Sequence, residues 1–266
     1  MSAPQRQDTF PMKLLTLSRD LQRRKARERQ GLFVAEGVRV VEELLRSPIS
    51  VRGALATPQL AESSRGRGIL DQLNRRGILT EEVENDEFSS AADTESPQGI
   101  LAIGVVPTAT LADLSPAQSM RLLVLDAIQD PGNVGTIVRT AAALGATATF
   151  SLPGTVDLWN AKVVRSGMGA HFHHPCLSGT WDDLESFRRG HGVTLWAADT
   201  SGESIEACVP PSRLALVVGN EGGGLSSLSR TRADRLVALP IAASTDSLNV
   251  AVAAGILLYE LRADQS

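Results

Sequence analysis

Apolar positions follow two rhythms along the chain, and where one gives way to the other a strand or a helix is predicted. From Lys13 to Gln30 apolar residues recur at helical spacing among basic ones, and Leu32 to Gly37 then reads as a short strand ending in a turn. Val38 to Arg46 returns to helical spacing. Val51 to Ala56 and Gly77 to Glu82 read as short strands with a helix around Gly68 to Arg75 between them, and Gly99 to Val106, flanked by prolines, as a closing strand. Together these elements predict a small N-terminal α/β domain over residues 1–107. Residues 108–119 carry Thr, Ala, Ser and proline without sustained period and read as a linker.

Beyond the linker, over residues 120–266, apolar runs alternate with helical stretches. Strands are expected at Leu122 to Leu125, Thr147 to Leu152, Val193 to Ala198, Leu214 to Val218 and Leu236 to Leu239. Helices are expected at Val134 to Leu144, Leu158 to Ala170 and Ser247 to Arg262. Such alternation predicts a mostly parallel sheet covered by helices. The last helix is apolar on nearly every side, so it should bury against the sheet, a subunit partner, or both.

A hydrophobic share of 42% with 21% charged residues in a 266-residue chain fits a globular protein of one or two domains. No apolar run approaches membrane-spanning length, and Met1 to Phe10 is too polar for a secretory signal. Cys176 and Cys208 form no disulfide framework and no metal pattern, so the cytoplasm is the expected compartment. The net charge of −4 hides a local excess: residues 1–30 hold eight basic side chains against three acidic ones. A solvated helix face is the plain reading of such a run, and phosphate binding the functional one.

In an open parallel sheet ligands sit beyond the carboxyl ends of the strands, which directs attention to three segments. The first runs from Asp126 to Ala143, where Pro131-Gly132 turns the chain, Asn133 can cap the next helix and Arg139 follows on that helix. The second, Gly219-Asn220-Glu221-Gly222-Gly223-Gly224, allows backbone to approach a ligand closely. It is not a dinucleotide fingerprint, because Glu221 stands where a glycine is required, and it lacks the Gly-Lys-Ser/Thr of a P-loop. Glu221 suits a ligand bearing positive charge. The third joins Leu239-Pro240-Ile241 to Ser247-Leu248-Asn249, with Ser247 a candidate N-cap and Asn249 in the first turn. Each segment alone is adequately explained as a turn or cap.

Taken together, Asn133-x-Gly-x-x-x-Arg139, Gly219-Asn220-Glu221-Gly222 and Ser247 to Ala253, in this order, resemble the three motifs of the SpoU (TrmH) family of RNA ribose 2′-O-methyltransferases. The resemblance extends to Lys162 through Ala170 and to Leu258-Tyr259-Glu260, covering about 140 residues, a scale at which chance agreement is remote. The N-terminal half is similar, more loosely, to the substrate-binding domain of many members, with Phe33-Val34-Ala35-Glu36-Gly37 as its mark.

The resemblance implies a trefoil-knotted SPOUT sheet, S-adenosylmethionine as methyl donor, no metal, and a homodimer formed through the C-terminal domain. It implies that Gly219, Leu239, Ile241 and Leu248 surround the cofactor, and that Arg139, Asn133, Glu221, Ser247 and Asn249 form the catalytic set. It shifts Arg19, Arg23, Arg24, Lys25, Arg27 and Arg29 from a solvated face towards an RNA contact. Ribosomal RNA is the expected substrate, with transfer RNA the alternative, as are a catalytically silent RNA-binding protein and, from the α/β pattern alone, a nucleotide-dependent oxidoreductase. His171, His173 and His174 complete no metal pattern, Phe172 to Pro175 reads as a strand beside the site, and Trp159, Trp181 and Trp196 read as packing residues.

Overall fold

The computed structural model describes residues 13–115, 118–242 and 247–262. Arg6 of the basic stretch and residues 243–246 of the third loop lie outside the described residues. The expected single N-terminal helix is two, α1 (Leu14–Asp20) and α2 (Arg24–Gln30). The break follows from side chains that periodicity does not reveal. Leu21 plugs a core, and Arg27 reaches back to the freed carbonyls of Leu21 and Gln22, at 2.8 and 2.9 Å.

The chain continues through β1 (Leu32–Glu36), α3 (Val38–Arg46), β2 (Val51–Ala56), α4 (Ser64–Arg75), β3 (Thr80–Glu82), α5 (Asn85–Ser89) and β4 (Ile100–Val105). The four strands form one sheet in the order β1-β4-β2-β3, with β4 antiparallel to both neighbours and β3 parallel to β2. Residues 108–115 are not bare linker: Thr110 and Asp113 form a capping box, and Leu111 is buried in the second unit's core.

The second unit comprises β5 (Met120–Leu125), α6 (Pro131–Ala143), β6 (Ala148–Ser151), α7 (Ala161–Ser166), β7 (Cys176–Ser178), α8 (Trp181–His191), β8 (Thr194–Ser204), β9 (Arg213–Val218), α9 (Ser227–Arg232), β10 (Arg235–Ala238) and α10 (Val250–Glu260). Its six strands, in the order β10-β8-β9-β5-β6-β7, pair in parallel throughout. Helices cover both faces, as a parallel sheet requires. In β5, Leu123 and Leu125 face one apolar cluster while Leu122 and Val124 face the other, the two-residue period of a strand buried on both sides. Phe172 to Pro175 is not a strand. Ala170–Phe172 forms a 3-10 turn that buries Phe172 against Phe33, ring centroids 5.9 Å apart, and β7 begins only at Cys176.

The two units share a core. Phe33 of β1 packs on Trp159 at 4.6 Å, and both belong to the cluster that also holds α6, α7 and α10. Polar links rim this joint. The buried Glu36 carboxylate accepts from Asp93 N at 2.7 Å and lies 3.7 Å from Arg165 of α7, which also pairs with Asp93 at 2.9 Å. The Phe33-to-Gly37 mark is thereby explained as the surface that docks one unit on the other.

The histidine cluster divides by environment. His173 is exposed, 3.8 Å from Glu43, whereas His171 and His174 are buried, the latter bonded to the Thr149 hydroxyl at 2.9 Å. Burial, then the neighbouring His174, pushes the His171 pKa down to about 3 against the opposing pull of the Leu158 main chain. Burial pushes His174 down to about 4. Both folded values lie below the unfolded one of about 6.5, so their contribution to stability is complete above that pH and is lost as pH falls from it towards 4 and then 3. Unfolding by urea at pH 7 and pH 5 should therefore show a lower midpoint at pH 5, with up to about 1.4 kcal/mol lost per pH unit for each histidine. His174→Asn should flatten that dependence; parallel profiles for the two proteins would contradict the assignment.

Candidate active site

All three motif segments meet at the carboxyl edge of the parallel sheet. The helix α6 is capped by Asp130, whose Oδ1 accepts from Asn133 N at 2.7 Å, and not by Asn133 as expected. Pro131 at the first helical position marks its predecessor as the cap. Asn133 is thereby free to face away from its own helix, and its Nδ2 donates to Glu221 Oε1 at 2.8 Å. The final helix shows the same displacement. Asn249, not Ser247, caps α10, its Oδ1 accepting from Ala251 N at 2.9 Å and Val252 N at 3.3 Å. Asn249 Nδ2 donates to Asn133 Oδ1 at 3.0 Å. Glu221, Asn133 and Asn249 thus form one chain of carboxamides ending on a carboxylate, assembled from three loops.

The glycine loop is shaped by Asn220. Its Oδ1 accepts from Gly222 N at 2.8 Å and Gly223 N at 3.0 Å, its Nδ2 donates to Ala127 O at 2.9 Å, and its main chain bridges Gly224 in both directions. The loop closes so tightly that a Cβ on Gly219 would lie 2.5 Å from the Gly224 carbonyl. The foot of the loop is tied to the end of β5, where buried Asp126 accepts from Ser226 N at 2.8 Å and from the Ser229 hydroxyl.

Beside this loop lies a cavity of about 280 Å³, near the lower bound for small-molecule sites. Gly219, Leu239, Ile241 and Leu248, the four residues expected at the cofactor, all line it, with Glu221 and Ser247 at its rim. Three lining residues were not singled out from the sequence: Asp199, Thr200 and Arg230. Strand β8 pairs with β10 up to Ala197 and resumes at Glu203, so the intervening residues bulge out and carry Asp199 and Thr200 into the cavity wall. The strand-end rule applied to the other segments points equally to the residues after Ala198. Asp199 pairs with Arg230. Burial pushes the Asp199 carboxyl up, but bonds from the Ser201 hydroxyl and N–H and the nearby Arg230 outweigh it and hold it below the usual range. Asp199 is thus a fixed negative charge.

Arg139 is exposed on α6, and its side chain makes no hydrogen bond or ion pair with another described residue. Six residues after Asn133, it lies about 120° around α6 and about 9 Å along it, so this chain's own fold does not join it to the carboxamide chain. Of the six basic residues expected at RNA, Arg19, Arg23, Arg24, Lys25 and Arg29 are exposed. Arg27 is not. It is 4% exposed and pairs with Asp157 at 2.7 Å, locking α2 to the second unit, so its charge is already matched within the fold. Trp159 and Trp196 are buried, and Trp181 and Trp196 lie under Arg232 and Arg235. Among the described residues no three His, Cys, Asp or Glu side chains gather as a metal site, and no helix is long and apolar enough to cross a membrane.

Residues 120–259 match the model of the SpoU rRNA methylase family, and residues 16–102 that of the MRM3-like substrate-binding domain. The chain belongs to the SpoU rRNA methylase family. Among its relatives, the 23S rRNA (guanosine(2553)-2′-O)-methyltransferase RlmP of Bacillus subtilis is 35% identical over 91% of this chain and 93% of its own. The AdoMet-bound SpoU methyltransferase AviRb of Streptomyces viridochromogenes superposes with a TM-score of 0.83 at 29% identity, covering 94% of this chain and 97% of its own. An AdoMet-bound rRNA methyltransferase of Sinorhizobium meliloti gives 0.82 at 29%, covering 95% of both chains. The family's mostly parallel sheet with helices on both faces and a separate N-terminal unit is the architecture described above.

Proposed function

We propose that this protein transfers a methyl group from S-adenosylmethionine to the 2′-hydroxyl of a guanosine in large-subunit ribosomal RNA. The observation that carries the reading is the hydrogen-bonded chain from Glu221, which lines the 280 Å³ cavity, through Asn133 to Asn249. The match to the Bacillus subtilis enzyme over nine-tenths of both chains supports ribosomal over transfer RNA.

S-adenosylmethionine, when bound, supplies a methyl group made electrophilic by a sulfonium. The cavity fits such a group: Leu239, Ile241 and Leu248 offer an apolar slot, and the carboxylates of Glu221 and Asp199 have the sign a sulfonium needs. A ribose hydroxyl is almost fully protonated at neutral pH, so the chain must position it and stabilise the charge that develops on its oxygen. Asn133, Glu221, Ser247 and Asn249 position the ribose. Arg139, permanently charged, binds the adjoining phosphate and stabilises that developing charge rather than acting as a base. Arg19, Arg23, Arg24, Lys25 and Arg29 hold neighbouring phosphates. The exposed ion pairs that Arg23 and Arg29 make with Asp20, and Arg24 with Glu28, are weak enough to exchange for them.

The trefoil knot and a cytoplasmic, homodimeric state belong to the same reading. The apolar stripe of Val252, Ile256 and Tyr259, exposed on the outer face of α10, supports the dimer. In sedimentation at micromolar concentration the protein should run as a dimer and Ile256→Asp as a folded monomer. A monomeric parent protein would contradict that assembly. The activity itself is tested with methyl-labelled S-adenosylmethionine and unmodified ribosomal RNA transcript. Label should appear in 2′-O-methylguanosine after nuclease digestion, and label on a base, or none, would refute the reading.

A further inference from the structure

A second cleft, of about 440 Å³, lies in the N-terminal unit between the start of α3, the end of β2 and the segment before β4. Its floor is apolar, with Val38, Leu60 and Phe88, and its walls carry the carboxamides of Gln59, Asn85 and Gln98. No titratable side chain lines it.

Two details mark it as a built site. Thr57 lines the cleft, and although the residue as a whole is 4% exposed, its hydroxyl keeps contact with solvent there and bonds to no other described residue. Directly over it stands Gly99, at φ +72°, where a Cβ would lie 2.4 Å from Thr57 Oγ1. The backbone is therefore bare where a side chain would cover the hydroxyl. Gln98 is half committed: its Oε1 accepts from Val38 N at 2.8 Å, which fixes the carboxamide, while no described residue takes its amide hydrogens.

We propose that this cleft takes one unpaired nucleobase of the RNA and reads its edge through the Thr57 hydroxyl and the Gln59, Asn85 and Gln98 carboxamides. The inference rests on the reading above that the protein acts on RNA, and adds where sequence is read. A neutral lining of donors and acceptors over an apolar floor matches a base rather than a phosphate, and paired RNA hides its base edges in a groove too narrow for side chains. Charge stays at the rim. The nearest basic side chain tied to this region is Arg19, whose Nε donates at 2.8 Å to the hydroxyl of Ser90, the residue after Ser89 of the cleft. The acidic Asp86 and Glu87 on α5 disfavour a phosphate nearby.

The test is titration of the full-length, nitrogen-labelled protein with each of the four nucleoside 5′-monophosphates, and with inorganic phosphate, followed by the side-chain amide resonances of Gln59, Asn85 and Gln98. Those resonances should shift with nucleotides, one base more than the others, and not with phosphate. Thr57→Val and the exposed Gln59→Ala should each weaken nucleotide binding, and raise KM for ribosomal RNA transcript, by about 3- to 10-fold, the effect of one hydrogen bond. kcat and affinity for S-adenosylhomocysteine should be unchanged. Silent amides, equal shifts with phosphate, or an unaltered KM in both variants would overturn the proposal. Absence of methyl transfer by the parent protein would instead refute the methyltransferase reading, and the amide shifts would still decide the cleft.

Discussion

Arg139→Ala should lower methyl transfer by roughly 100- to 1,000-fold, the usual effect of removing one group that stabilises developing charge. Affinity for S-adenosylhomocysteine, measured by calorimetry, should stay at the parent value. The dissociation of the two effects follows from the structure, because Arg139 touches neither the cofactor cavity nor the Glu221–Asn133–Asn249 chain and its loss disturbs no described contact. Arg139→Lys should recover little, since an ammonium cannot reproduce a two-pronged grip on a phosphate. A variant that methylates RNA at the parent rate would remove Arg139 from the mechanism.

Gly219→Ala should have the opposite signature, with cofactor binding lost first. Its Cβ would collide with main-chain atoms of Gly224 and Leu225, at 2.5 and 2.6 Å, which cannot step aside as a flexible side chain could. The loop must open, at a cost of about 1–3 kcal/mol, or roughly 5- to 150-fold in affinity for S-adenosylhomocysteine. Gly190→Ala is the matched control, because a Cβ there meets nothing within 4 Å. Equal affinities for the two variants would show that the loop's close approach does not shape the cofactor site.

What the sequence made legible here was order and spacing. Contacts between Asn133 and Glu221, 88 positions apart, and between Asn133 and Asn249, 116 apart, are invisible to periodicity, yet the joint pattern of three segments pointed to them. Local roles were harder to read. Asn133 and Ser247 looked like caps because their residue types cap helices, whereas Asp130 and Asn249 do so, and Pro131 already carried that signal for α6. Asp199 stands just past the apparent end of its strand, where the strand-end rule reaches it, but the bulge that carries it into the cavity wall is set by pairing with β10, which periodicity does not reveal. Arg27 looked like its exposed neighbours because its partner, Asp157, lies 130 positions away. Tertiary partners decide such cases.

The central claim is tested most directly by a nucleotide-resolution map of ribose methylation across ribosomal and transfer RNA, taken from the source organism with and without this gene. The account predicts that a single 2′-O-methyl group, on a guanosine of large-subunit ribosomal RNA, disappears with the gene and returns with the parent protein but not with Arg139→Ala. An unchanged ribosomal map, or a loss confined to transfer RNA, would contradict it.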